Sequence, residues 1–164
     1  MISPSTTLSA AGEHYVMCQL LRRGLIAALA PAGVPHTDII LTDDIGDMMS
    51  AIQVKARVDK GSDGGWHMQR KHEDIQSDRL FYAFVDFGAD LFSQTTAFIV
   101  PSRVVAMVIK RSHSTWLAQR GKRGQVRNDS NMRRFLPNYD LKGLNIGHGD
   151  GWLDQYKEAW KLIE

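Results

Sequence analysis

Four residues in this 164-residue chain are of the types and spacing that could do chemistry together: Glu13, Asp38, Gln53 and Lys55. Gln53 and Lys55 stand two apart in Ile52-Gln53-Val54-Lys55-Ala56-Arg57, where apolar and polar residues alternate with a period of two. Two such residues on a strand point to the same face. Asp38 opens the short run Asp38-Ile39-Ile40-Leu41, and the polar stretch between the two runs, from Thr42 to Asp47, reads as a turn. An antiparallel hairpin folded there brings Asp38 beside Gln53 and Lys55. Glu13 falls in step with Val16, Met17 and Leu20 on one helix face, where a carboxylate is costly without compensation. If that helix packs on the Gln53–Lys55 face, two carboxylates, an amide oxygen and an ammonium meet.

Carboxylate and amide oxygens are the ligands of hard cations such as Mg²⁺, and the backbone carbonyl of Val54 adds another donor. Such a cation offsets charge on a phosphodiester oxygen and makes a water more acidic. Lys55 then stabilises the charge that develops at phosphorus, or orients the water. The expected chemistry is metal-assisted phosphodiester hydrolysis by Lys55, Glu13, Asp38 and Gln53. Plainer uses exist: Glu13 beside a helix N-terminus, Asp38 as a strand-start residue, Lys55 and Arg57 on a solvent-facing strand side.

Gly12-Glu13, Asp38-Ile39-Ile40-Leu41 and Ile52-Gln53-Val54-Lys55-Ala56-Arg57 together resemble the PD-(D/E)xK nuclease superfamily, in its Holliday-junction-resolvase-like form. The resemblance covers residues 9–100. It implies an α/β, restriction-endonuclease-like core, a mixed four- or five-stranded sheet flanked by helices. It also implies metal binding by Glu13 and Asp38, with Gln53 at the third acidic position and Lys55 at the lysine. Two departures stand out: Pro35 is separated from Asp38, and Gln53 replaces the usual acid. The second resembles a minority pattern of transposon-end-cleaving members. Glutamine keeps an oxygen but lacks charge, which weakens metal affinity and opens the alternative of an inactive DNA-binding or partner-binding module. The implied cofactor is Mg²⁺, with Mn²⁺ as substitute. DNA is the implied partner, a homodimer follows by analogy, and a protein partner from a mobile-element or defence system is a further alternative.

Charge distribution agrees with a polyanion partner. Net charge is only +2, yet from Lys110 to Arg134 eight basic residues face one acid, Asp129. Arg57, Lys60, Arg70, Lys71, Arg120, Lys122, Arg123 and Arg127 are the expected phosphate contacts, which position a substrate without reading its sequence. Trp66, in the glycine-rich loop after the lysine strand, either stacks on a base or packs that loop on the core. None of the six histidines has a zinc spacing, though His36 borders the expected site.

The elements that must position these residues follow from periodicity and caps. A first helix is expected from Ser9 to Arg22 or Arg23, capped by Ser9 and ended by Gly24. Strands are expected at residues 38–41, 51–57, 80–87 and 96–100. A helix starting at Ser102 should turn Val105, Val108, Ile109 and Trp116 inward. The basic stretch to Pro137 reads as loop. Asp150 should cap a last helix with the stripe Trp152, Leu153, Tyr156 and Trp160.

Length, 43% apolar and 23% charged residues suit one soluble domain over residues 1–164, its residues 101–164 a helical and basic extension. No apolar run is long enough for a transmembrane helix, and the first residues lack a signal-peptide layout. Cys18 alone excludes an internal disulfide framework. A cytoplasmic location is the expectation. Serine-hydrolase, P-loop and Rossmann motifs are absent.

Overall fold

The computed structural model describes residues 4–59 and 64–163. Lys60, one of the expected phosphate contacts, lies outside the described residues.

Helix α1 runs Pro4–Arg22, five residues earlier than expected. Proline suits a first helical position because its φ is already helical and its missing N–H has no partner there. Gly24 ends the helix with φ +80°, while Leu25 N–H bonds back to Leu20 O at 3.2 Å. The chain then forms β1 (Ile26–Leu29), a short edge strand the sequence did not announce, and β2 (Ile39–Thr42). In the hairpin turn, Asp43 Oδ1 accepts from the N–H groups of Ile45 (3.1 Å) and Asp47 (2.8 Å). Strand β3 (Met48–Arg57) pairs antiparallel with β2, Ile39 opposite Ile52.

A crossover through β4 (Trp66–Gln69) and a 3₁₀ turn at Arg70–Glu73 leads to β5 (Leu80–Asp86), parallel to β3. Strand β6 (Thr96–Pro101) returns antiparallel, giving a mixed five-stranded sheet in the order β1-β2-β3-β5-β6. Helix α2 (Ser102–Ala118) buries Val105, Val108 and Ile109 as expected. The basic stretch is not all loop: β7 (Met132–Phe135) pairs with β4 as a separate ribbon. Arg133 forms a buried ion pair with Glu73, which ties that ribbon to the crossover.

One helix lies on each sheet face, so β5 is buried on both sides and alternates between two cores. Phe81, Ala83 and Val85 join Val16, Leu20, Ile52 and Val54 on the α1 side. Tyr82 and Phe84 join Val105, Val108 and Ile109 on the α2 side. The final helix is a correction. Residues 150–163 form turns and two 3₁₀ segments, Asp154–Tyr156 and Trp160–Leu162. The stripe that looked helical is divided: Trp152 packs on the α2-side core and Trp160 on the α1-side core. Glu158, at φ +50°, pairs its backbone N–H with Ala97 O (2.8 Å) and its carboxylate with Ala97 N–H (2.7 Å). The segment covers the outer edge of β6, where an unpaired ladder would otherwise be exposed. Among the described residues no helix is long and apolar enough to cross a membrane.

Candidate metal and nucleic-acid site

Strand β3 sorts its side chains as the alternation predicts. Ile52 and Val54 enter the α1-side core, while Gln53 and Lys55 face the other way, in register with Tyr82 and Phe84 of β5. Asp38 immediately precedes β2. Its N–H bonds Ile52 O at 2.8 Å, which fixes its register. Its side chain then takes over where the β2 backbone stops: Oδ2 accepts from Val54 N–H at 2.7 Å and from the Gln53 side-chain amide. A strand residue turns its N–H and C=O toward the same neighbour. The Val54 carbonyl therefore opens on the Asp38 side, and Gln53 keeps its Oε1 while spending its amide N–H₂ on Asp38.

Glu13 arrives by a different route from the one expected. Helix α1 packs on the opposite face, through Gly12, Val16 and Leu20. A Cβ built on Gly12 would lie 2.7 Å from Ala56 Cβ, so only glycine lets the helix axis approach β3 this closely. The next residue, Glu13, is half-buried. Burial raises its carboxyl pKa, and repulsion from Asp38 raises it further, partly offset by His14. The two carboxylates thus feel one another although they come from opposite faces of the sheet.

Lys55 has its ammonium pKa lowered, first by burial; Asp38 opposes the shift and Lys71 adds to it. Among the described residues no carboxylate lies within ion-pair distance of Lys55. Sequence reasoning placed His36 at the border of the site but missed His72 and Tyr82 behind Lys55. His72, buried in the turn after β4, shares a 2.7 Å hydrogen bond between Nδ1 and the Tyr82 hydroxyl. Burial, then Lys55, Lys71 and His36, push the His72 pKa down to about 4, so the ring is neutral at pH 7. His36 meets His72 edge to face at 6.0 Å and sits at φ +59°. Burial and the same two lysines lower its pKa also. Only the register of Tyr82 opposite Gln53 could have pointed to the His72–Tyr82 pair, and register is not legible before the sheet is known.

A cleft of about 640 Å³ opens beside Lys55, walled by β3 on one side, Ser5, Leu8 and Ser9 of α1 on another, and by Arg134. Three expected contacts need correction. Trp66 is 2% exposed, donates its indole N–H to Val85 O at 3.1 Å and packs on Phe84 and Phe135, so no base can stack on it. Arg57 is held by Asp86 and Asp59 and lies 4.5 Å over the Trp66 ring, which makes it a support of the cleft wall. Arg127 donates to Trp116 O at 2.8 Å with its guanidinium 4.8 Å over that indole. Arg70 is exposed and pairs with Asp129 at 3.4 Å. Lys71, Arg120, Lys122 and Arg123 are exposed to solvent, Lys71 on the same turn as His72.

Among the described residues no group of three or more His, Cys, Asp or Glu side chains is placed to hold a metal ion. Asp38 meets the Gln53 amide and the Val54 N–H, and its charge reaches Glu13 far enough to raise that carboxyl's pKa. Two acids in repulsion, one of them half-buried and with no hydrogen bond of its own among the described residues, are what a divalent cation relieves. The donor set therefore fits a hard cation.

No family model and no curated protein matches the chain. Among solved structures it resembles one titled as a bacterial homing endonuclease, I-Ssp6803I, with TM-score 0.55 and 11% identity over 99% of this chain and 92% of that one. At this identity the likeness is one of fold: an α/β core with a mixed five-stranded sheet flanked by two helices.

Proposed function

We propose that this chain is a metal-dependent DNA endonuclease of the PD-(D/E)xK type, with Gln53 at the third acidic position. The observation that carries the reading is the hydrogen-bonded Asp38–Gln53 pair, with Glu13 near enough to feel the Asp38 charge, beside a half-buried Lys55 that has no ion-pair partner among the described residues. The fold likeness to a homing endonuclease supports it.

Glu13, Asp38, Gln53 Oε1 and the Val54 carbonyl would hold Mg²⁺, or Mn²⁺ in its place. A bound cation of this class supplies charge neutralisation at a phosphodiester oxygen and a more acidic water. The protein's own groups do the rest. Asp38, fixed by two hydrogen bonds, needs no reorganisation to present its second oxygen. Lys55, half-buried on the wall of the cleft, directs its positive charge at the phosphate, where charge grows in the transition state. Neutral His72 and Tyr82 line that face without adding competing charge. Lys71 and the exposed cations of residues 120–123 contact flanking phosphates. DNA is the partner, branched or otherwise structured DNA being the substrate class suggested by the resolvase resemblance, and the protein acts as a homodimer.

Cleavage of plasmid and branched DNA with Mg²⁺ or Mn²⁺ tests this, comparing the native protein with Lys55→Ala and Asp38→Ala. Metal-dependent nicking lost in both variants is the expected result. DNA binding without cleavage under any metal instead supports the inactive module, the reading favoured by an uncharged glutamine at an acidic position. Cleavage only after a second protein is added points to a partner-activated nuclease.

A further inference from the structure

Strand β1 is one end of the five-stranded sheet, and among the described residues no strand pairs with its outer edge. The opposite edge, on β6, is covered by the Glu158 segment. An open edge is a template for another strand, and proteins block it with charge, proline or a bulge. Ile26–Leu29 carries none of these. It pairs with β2 in unbroken register, and no charged residue occurs from Gly24 to Pro35, although 23% of the chain is charged. Ile26 and Leu29 of the strand are exposed, as are Leu21 just before it and Val34 just after.

The backbone fixes what can pair there. Ala30 N–H bonds Asp38 O at 2.8 Å, so Ala28 and Ala30 turn their peptide groups toward β2, and Ala27 and Leu29 turn theirs outward. An antiparallel second copy of β1 centred on Ala28 sets Ala27 opposite Leu29 of the partner subunit, and Leu29 opposite Ala27 of the partner subunit. Every outward N–H and C=O of Ala27 and Leu29 in both strands is then paired. Centring on Ala27 would set Leu29 against Leu25, whose N–H already bonds Leu20 O at 3.2 Å. Centring on Leu29 would set Ala27 against Pro31, which has no N–H. The edge is complementary to itself in one register.

We infer that β1 is the contact between two copies of this chain, paired antiparallel about a two-fold axis at Ala28 into one ten-stranded sheet. The inference gives the homodimer of the endonuclease reading its surface, and rests on that reading only for the dimer's purpose. The axis stands perpendicular to the sheet, so the Gln53–Lys55 faces of both copies look to the same side, about 24 Å apart. A single duplex then lies before both sites.

Sedimentation velocity of the full chain over a concentration series tests this. Ala28 is exposed, so a charge there leaves the packing of the single chain alone. At the axis it meets its own copy, with about 4.5 Å between Cα atoms, and like charges directly opposite repel. Expected is a dimer in the native chain, dissociating at least tenfold more readily in Ala28→Lys and in Ala28→Glu, and restored when the two variants are mixed. Restoration also shows that both variants are folded. Met107→Lys, the same added charge on an exposed residue of α2, should dimerise as the native chain does. A native chain that stays monomeric overturns the inference, leaving the edge to a strand of some other protein. So does a dimer indifferent to both charges at residue 28, or one that the mixture fails to restore. Plasmid nicking with Mg²⁺ separates the two readings. Nicking by a monomeric native chain sinks the interface alone, and a dimer held at Ala28 that never nicks sinks the endonuclease alone.

Discussion

Gln53 donates its side-chain amide to Asp38, and the same Asp38 oxygen also receives the Val54 N–H. This couples the uncharged third position to the strand acid directly, in a place where a second carboxylate would repel the first. Gln53→Glu should therefore lose the hydrogen bond and gain repulsion from Asp38 and Glu13. In EDTA the variant should be destabilised by about 1–3 kcal/mol, a drop in Tm of roughly 5 °C for a chain of this size. Mn²⁺ should restore most of that loss and stabilise the variant more than the native protein. Scanning fluorimetry with and without the ion decides it; equal response of both proteins contradicts the proposed ligand role of residue 53.

Stability should fall in acid through His72. Its folded pKa of about 4 lies below the ordinary value of 6.5, so between those limits the unfolded chain holds more protons and stability rises with pH. The contribution is fully present above about pH 6.5 and lost toward pH 4, amounting to about 3 kcal/mol at most. Glu13, whose pKa is raised, works in the opposite direction there. The clean measurement is the difference between native protein and His72→Gln in urea denaturation across that range, which should shrink as pH falls. A difference constant with pH would show that His72 is not held neutral.

Gly12→Ala should destabilise the fold although alanine is the better helix former. The added Cβ meets Ala56 Cβ, part of β3 itself and unable to turn away. A loss of about 1–3 kcal/mol is expected, with Glu13 displaced in the same step. An unchanged or raised Tm would mean that α1 does not approach β3 as closely as described.

The Arg133–Glu73 pair couples β7 to the crossover with both side chains largely buried. Removing one partner strands the other, so Arg133→Met should cost about 3–5 kcal/mol, whereas Arg133→Met with Glu73→Leu should recover much of it. Chemical denaturation of the two single variants and the double variant measures that coupling.

Much of the frame was readable because local chemistry and global fold agree there. Gly24 ends α1, the Asp43 turn sets the hairpin, and alternation around Gln53 and Lys55 assigns their faces. What escaped the sequence depends on distant partners. The four residues of β1 carry no pattern of their own and become a strand only by pairing with β2. Trp66 follows two glycines and looked like loop, but β7, over sixty residues away, makes it a strand. The stripe Trp152 to Trp160 has helical spacing, yet its two tryptophans serve opposite faces of the sheet. Within the site, the approach of Gln53 to Asp38 was legible, while the sheet face on which α1 packs and the His72–Tyr82 pair were not.

The most direct measurement is anomalous diffraction from crystals soaked in Mn²⁺. One strong peak is expected about 2.1 Å from oxygens of Asp38, Glu13 and Gln53, or the Val54 carbonyl, with Lys55 alongside. That peak should vanish in Asp38→Ala. A peak placed elsewhere, or none at these oxygens at saturating Mn²⁺, would show that these residues do not hold the cation.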